Sequence, residues 1–148
     1  MCIRDRNGTA TVTGAVTGGN GGQASIRGSS GGMGASESLV DALTAVGSAD
    51  SNIALYQAVY GGSGGEAFGG APGNGGTANN SLNRTMSVAN LSVRTGAYRG
   101  YGGTKNFDGD AGIGGSATAS TIATNTTGSA TVYADAFWRH RWSSSYRQ

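Results

Sequence analysis

The chain has 148 residues, of which 29 are Gly, and Leu, Ile, Val and Phe together number only 21. One Cys, one His, one Pro and one Lys exclude a disulfide scaffold, a Cys/His zinc site and a Cys-His or Ser-His catalytic pair in a repetitive body. The formal net charge is +2, and no apolar run approaches the roughly 20 residues that span a bilayer.

The first six residues, Met-Cys-Ile-Arg-Asp-Arg, contain no Gly. They resemble the translation of a transposase mosaic-end adapter used in sequencing libraries, so residues 1–6 are set apart from the fold. On that reading Cys2 is foreign to the protein and any leader peptide would lie upstream. The body is expected to span residues 7–137.

The body opens on Ala-Thr-Val-Thr-Gly-Ala-Val-Thr-Gly-Gly-Asn-Gly-Gly, from Ala10 to Gly22. Thr9, Thr11 and Thr13 alternate and form a small Thr row of the kind that flat ice-binding solenoids use, but Asn52 to Tyr56 does not keep it. Ser36 to Gly47 places Leu39, Leu43 and Val46 at helical spacing, with Ser36 as a cap and Gly47 as a stop, and so predicts a short helix. Ser38-Leu39 nevertheless aligns with Ser81-Leu82, which reads as strand.

The opening segment recurs as Ala54 to Gly65, Leu91 to Gly103 and Ala130 to Phe137. Val12, Leu55, Val93 and Val132 share the apolar position, at spacings of 43, 38 and 39. Five residues on, Thr17, Tyr60, Tyr98 and Phe137 share a mostly aromatic one. A second block, Gly73 to Ala78, returns at Gly112 to Ala117. The unit is therefore about 40 residues: strand, aromatic, Gly-rich loop, second Gly block, return strand.

Ala117, Ala119, Thr121 and Ala123 fall on one face of a strand. After a turn at Asn125 to Gly128, Ala130, Val132, Ala134 and Ala136 do the same. One unit buries too little to fold alone, whereas stacked units cover one another. These features predict an all-β chain, a β-solenoid or a related elongated strand-repeat stack with Gly-rich loops, with two coils of about 20 residues in each unit. The competing outcome is a largely disordered, flexible Gly-rich spacer, because Gly carries the largest ordering entropy.

Gly-Gly-Asn-Gly-Gly, Gly-Gly-Ser-Gly-Gly, Gly-Asn-Gly-Gly-Thr-Ala and Gly-Ile-Gly-Gly-Ser-Ala, with Ala-Thr-Val and Ser-Ala-Thr-Ala-Ser strands between them, carry a resemblance. The body resembles Gly-rich strand-repeat bacterial surface proteins, either autotransporter and haemagglutinin-like adhesins or secreted repeat proteins of the PEP-CTERM kind. The resemblance implies export, a place at the bacterial surface or outside the cell, and a structural or adhesive role without catalysis.

Asp108 and Asp110 sit two apart beside Gly in Asp-Gly-Asp-Ala-Gly-Ile-Gly-Gly, a candidate Ca²⁺ loop, with a solvated turn as the plainer reading. Tyr60, Tyr98 and Tyr101, with Tyr56 and Phe68, cluster around the Gly loops. They form either a glycan-stacking stripe or a lid over the end of the small core. The Gly runs lack the Gly-Lys-Ser/Thr and the following helix that a nucleotide loop needs. The acids Glu37, Asp41, Asp50, Glu66, Asp108, Asp110 and Asp135 recur at no common position, which argues against a carboxylate enzyme. No cofactor is expected apart from that Ca²⁺, and the partners expected are surface glycans or further copies of the chain pairing through exposed strand edges.

The last eleven residues, 138–148, again lack Gly. Both Trp codons, read one base out of frame, encode Gly, and Trp138 to Trp142 can then read Gly-Gly-Thr-Gly-Gly, the continuation that earlier repeats show. A frameshifted tail is expected, against a genuine basic-aromatic segment. Without head and tail the body carries 5 basic and 7 acidic residues, so nucleic acid is not expected as a partner.

Overall fold

The computed structural model describes residues 2–4, 8–106 and 109–137, with residues 2–4 as backbone only. Every regular element among the described residues is a strand. The chain winds as a parallel β-solenoid of about three turns. Four nine-residue strands form one sheet: Thr9–Thr17 (β2), Asn52–Tyr60 (β5), Asn90–Tyr98 (β8) and Ser129–Phe137 (β11), in spatial order β11-β8-β5-β2. Glu37–Val40 (β3), Ala78–Met86 (β7) and Ala117–Asn125 (β10) form the facing sheet, in order β10-β7-β3. Cys2–Arg4 (β1) runs parallel beside Thr44–Val46 (β4). Ala67–Phe68 (β6) pairs with Lys105–Asn106 (β9) at the far side of the coils.

The pairing is in register and repeats the alignment read from the sequence. Val12 lies opposite Leu55, Leu55 opposite Val93, and Val93 opposite Val132. The partners are one whole unit apart, so each unit of about 40 residues makes one coil. Two coils of 20 per unit are thereby ruled out. Both halves of a unit carry a strand and a Gly block, but in mirrored order, and in the two sheets only like strands pair.

Inward residues alternate with outward ones, as a half-buried strand requires. Ala10, Val12, Leu43, Ile53, Leu55, Leu82, Val88, Leu91 and Val93 form one apolar cluster, and Val59, Ala78 and Ala97 a second. Between them lies a buried polar layer made by Gln57, Asn80 and Thr95. From the second coil onward the inward side chains shrink, from Ile53, Leu55 and Val59, through Leu91, Val93 and Ala97, to Ala130, Val132 and Ala136. The last row is the open one: Val132 is 47% exposed, against 0% for Val93.

The helix expected over Ser36 to Gly47 is replaced by β3 and β4. Leu39 and Leu43 point inward while Val46 is exposed, so the helical spacing marks no common face. The strand is interrupted at Asp41, where φ is 49°. Side chains complete the broken ladder. Arg84 donates to the carbonyls of Asp41 and Leu43, Asp41 accepts from the Asn83 amide, and Gln57 accepts from the Ala42 amide. Pairing with β7 outweighs a weak helical pattern.

The Gly-rich runs are ordered arms rather than loops. Each coil sends one arm out from the first sheet, residues 18–24, 61–67 and 99–105. Another arm returns to the second sheet, residues 30–36, 71–77 and 110–116. Hydrogen bonds recur every third residue. Gly18, Gly21 and Ala24 donate to Tyr60, Ser63 and Glu66 of the next coil, and Gly61, Gly64 and Ala67 to Tyr98, Tyr101 and Thr104. Gly62 and Gly65 donate to Ala35 and Gly32 of the preceding return arm, and Gly100 and Gly103 to Gly76 and Gly73. A period of three with no bonds inside the strand is the geometry of a polyproline II helix.

In each triplet one residue faces outward and two face other arms. The sequence follows this rule: Thr17, Asn20 and Gln23 alternate with Gly-Gly pairs, as do Tyr60, Ser63 and Glu66. Outward amides have no arm to pair with. Side chains one coil earlier serve instead: Asn20 Oδ1 accepts from Ser63 at 2.8 Å, Ser36 Oγ from Thr77 at 2.9 Å, and Asn74 Oδ1 from Ile113 at 3.0 Å. Most of these Gly are needed for space. A left-handed φ is required only at Gly28 (87°) and Gly69 (89°), in the distal turns, and φ is also positive at Gly109 (149°).

Candidate functional site

In-register parallel pairing places equivalent side chains directly above one another at the strand spacing, about 4.8 Å. On the outer face of the β2/β5/β8/β11 sheet this stacks the ring position. Tyr60 and Tyr98 lie with centroids 4.6 Å apart and planes at 10°, Tyr98 and Phe137 at 4.9 Å and 6°. Tyr60 is 37% and Phe137 41% exposed. The rings point away from the core, so they do not form a lid over its end. Gly96 leaves room for the Tyr98 ring, whose Cε2 would lie 3.0 Å from a Cβ there.

The outward triplet positions continue this face over the glycine arms. Asn20, Ser63 and Tyr101 make one row along the solenoid axis, and Gln23, Glu66 and Thr104 the next. Two clefts of about 390 Å³ each run between the rows. The first is walled by Tyr60, Tyr98 and Phe137 on one side and by Ser63 and Tyr101 on the other, with Arg99 at its base. The second lies between the Asn20/Ser63/Tyr101 row and the Gln23/Glu66/Thr104 row, over a floor of bare glycine backbone. Both volumes fall within the range of small-ligand sites, roughly 300–1,000 Å³.

The structure thus brings Tyr60, Tyr98 and Tyr101 together, and it changes their roles. Tyr98 is covered on both faces by its neighbours in the ladder. No ring among the described residues stacks on Tyr101, which borders both clefts. Thr104 Oγ1 donates to Glu66 Oε1 at 2.8 Å, which fixes the one carboxylate in the second cleft. Asn20, Ser63 and Thr104 escaped the sequence reading, and Glu66 entered it only as one of the scattered acids. The signal for them is the X-Gly-Gly triplet, whose X residues must share a face.

The other expected residues lie elsewhere. Tyr56 sits on the outer sheet face opposite Arg94, and Phe68 lies in the distal β6 pair. Asp135 bonds Arg94 at 2.7 Å on this exposed surface and raises the guanidinium pKa through that hydrogen bond. Asp108, one half of the expected Ca²⁺ pair, falls outside the described residues. Asp110 is exposed on the third return arm. No group of three or more His, Cys, Asp or Glu that could hold a metal occurs among the described residues. No helix among them is long and apolar enough to cross a membrane.

Comparison with protein-family models, with curated proteins and with solved structures finds no match for this chain.

Proposed function

We propose that this chain is a structural repeat segment, without catalysis, of a larger secreted protein at the bacterial cell surface or outside the cell. The carrying observation is that successive coils are hydrogen-bonded to one another through in-register strands of both sheets and through the glycine arms. Such a stack is extended by adding coils, while its outward positions stay free to vary. The resemblance of its Gly blocks and Ala-Thr-Val strands to bacterial surface repeats supports the location.

Inserting a second copy of residues 52–128 after Gly128 should lengthen the particle by about 4.8 Å per coil in small-angle scattering and raise its melting temperature. A disordered profile, or a particle no longer than the parent, would count against the structural reading. Antibodies to residues 9–137 should label intact bacteria carrying the full-length protein or bind its culture fluid. Labelling only after permeabilisation would remove the proposed location.

A second reading, adhesion to neutral glycans, is favoured by Tyr101 standing between two clefts walled by hydroxyl and amide groups. Each cleft carries a single charged group, Arg99 in the first and Glu66 in the second, with no cluster of basic side chains, which suits a neutral sugar chain better than a polyanion. Retardation in native gels containing soluble neutral glucan, mannan or xylan measures it. Tyr101→Ala should weaken retention on the order of tenfold, and Tyr133→Ala, on the same face outside the clefts, should not. Equal behaviour of the two variants would exclude these clefts.

A further inference from the structure

Among the described residues one pair of tyrosines is stacked. Tyr60 and Tyr98 are register partners on adjacent strands, with centroids 4.6 Å apart and planes at 10°. The other described tyrosines are placed differently. Tyr56 and Tyr133 flank Arg94 in register, so two strand spacings, about 9.6 Å, separate their strands. Tyr101 lies across the first cleft from the ladder.

The surroundings leave each ring of the pair one phenolic neighbour. The far face of Tyr98 is covered by Phe137, which has no hydroxyl to oxidise, and the register partner on the far side of Tyr60 is Thr17. Both rings border the first cleft, and Tyr60 is 37% exposed, so the pair is open to an oxidant and to loss of phenolic protons to water. Gly96 adds room at a reacting carbon. Tyr98 Cε2 is ortho to the hydroxyl, where a phenoxyl radical carries much of its unpaired electron, and a Cβ at position 96 would stand 3.0 Å from it. Glycine keeps that place open, so the rings can turn from face to face to edge to edge.

We propose that Tyr60 and Tyr98 form an oxidative cross-linking site, closed as a dityrosine by a peroxidase with hydrogen peroxide. Each phenol gives up one electron and one proton, and together these reduce one hydrogen peroxide to two waters. The two phenoxyl radicals join through a C–C bond between ortho carbons. Each of those carbons then loses its hydrogen as a proton while the oxygen of the same ring takes one up, which restores two phenols. The net loss is two hydrogen atoms. Stacking holds the two radicals together, so coupling is unimolecular and outruns coupling between molecules in dilute solution. The bond ties two successive coils across 38 residues of chain, as a disulfide would, and the single Cys of the sequence supplies no such internal bridge. The inference goes beyond the structural reading, which stands whether or not the bond forms.

Treatment of dilute protein with peroxidase and hydrogen peroxide tests it, with circular dichroism beforehand and intact mass, dityrosine fluorescence and tryptic mapping afterwards. The wild type should stay monomeric, lose two hydrogen atoms and join the tryptic peptides 28–84 and 95–99. Tyr60→Phe and Tyr98→Phe keep a ring in the stack and should each lower the monomeric link by about tenfold or more. Tyr56→Phe and Tyr101→Phe should leave it at the wild-type level. A link that survives Tyr60→Phe or Tyr98→Phe, or that is lost equally in Tyr101→Phe, overturns the pair. A folded wild type that gives only intermolecular dimers, or no dityrosine, overturns the site and leaves the structural reading standing. A chain without strand signal removes both.

Discussion

Gly62→Ala is expected to lower the melting temperature by about 10 °C, while Gly19→Ala leaves it unchanged or raises it slightly. The two residues occupy the same place in successive coils. A Cβ on Gly62 would fall well inside the contact distance of the Gly19 carbonyl oxygen and 2.9 Å from the Ala35 amide nitrogen. Both neighbours are backbone, held in the bundle by their own hydrogen bonds, so neither can swing aside as a side chain would. Relief requires two arms to separate and lose inter-arm bonds, a cost of about 3 kcal/mol, the upper end of ordinary overpacking. At Gly19 nothing is met, and Ala there reduces the freedom of the unfolded chain. Thermal melts followed by circular dichroism separate the cases. Equal effects at the two sites would mean that the glycines serve freedom of the backbone rather than closeness of the arms.

The same distinction explains what the sequence reveals and what it conceals. The repeat length and the pairing register are legible, because Val12, Leu55, Val93 and Val132 mark one row, and Tyr60, Tyr98 and Phe137 another. Inward and outward faces follow from alternation in Ala117 to Ala123. The number of coils per unit is not legible from these rows. It depends on which edges meet, and the strand and Gly block of each half satisfy either arrangement locally. Composition misleads most at the glycines. A fifth of the chain as Gly signals entropy cost, and by that measure the runs look like loops or disorder. The offsetting gain comes from backbone approaching backbone, with an inter-arm amide hydrogen bond at every third residue. That gain appears only once the period of three is set beside the period of two in the strands. Leu39 and Leu43 mislead for a related reason. Four-residue spacing is shared by a helix face and by every second inward position of a strand, and only the β7 partner decides between them. The aromatic residues are legible as a cluster, but their division of labour is not. Tyr98 is consumed by stacking because its neighbours in register are also rings, whereas Tyr101 shares its row with Asn20 and Ser63.

Asn80→Ala should destabilise the fold by about 2–4 kcal/mol, more than any apolar truncation of similar size in the thin third coil. Asn80 is 3% and Gln57 2% exposed, and they tie the two sheets together between the apolar clusters. Asn80 Nδ2 donates to the carbonyls of Gln57 at 2.7 Å and Gly96 at 2.8 Å, and Asn80 Oδ1 accepts from Gln57 Nε2 at 2.6 Å. Gln57 Nε2 also donates to Ser81 O at 3.0 Å, and Gln57 Oε1 accepts from the amide of Ala42 beside the strand break. One coil on, Thr95 takes the place of Gln57 and bonds the Thr121 hydroxyl at 2.7 Å, so the layer continues with smaller partners as the core thins. Removing the Asn80 amide takes a buried partner from Gln57 Nε2 and from the carbonyls of Gln57 and Gly96. Gln57→Ala should cost a similar amount, since it also releases Ala42 from its acceptor. The pair acts as a unit, so the double variant should be less destabilised than the sum of the singles, by about 1–2 kcal/mol. Denaturant unfolding of the four proteins gives that difference. Simple additivity would mean that the polar layer is tolerated rather than cooperative, and that the facing sheets are held in register by the glycine arms alone.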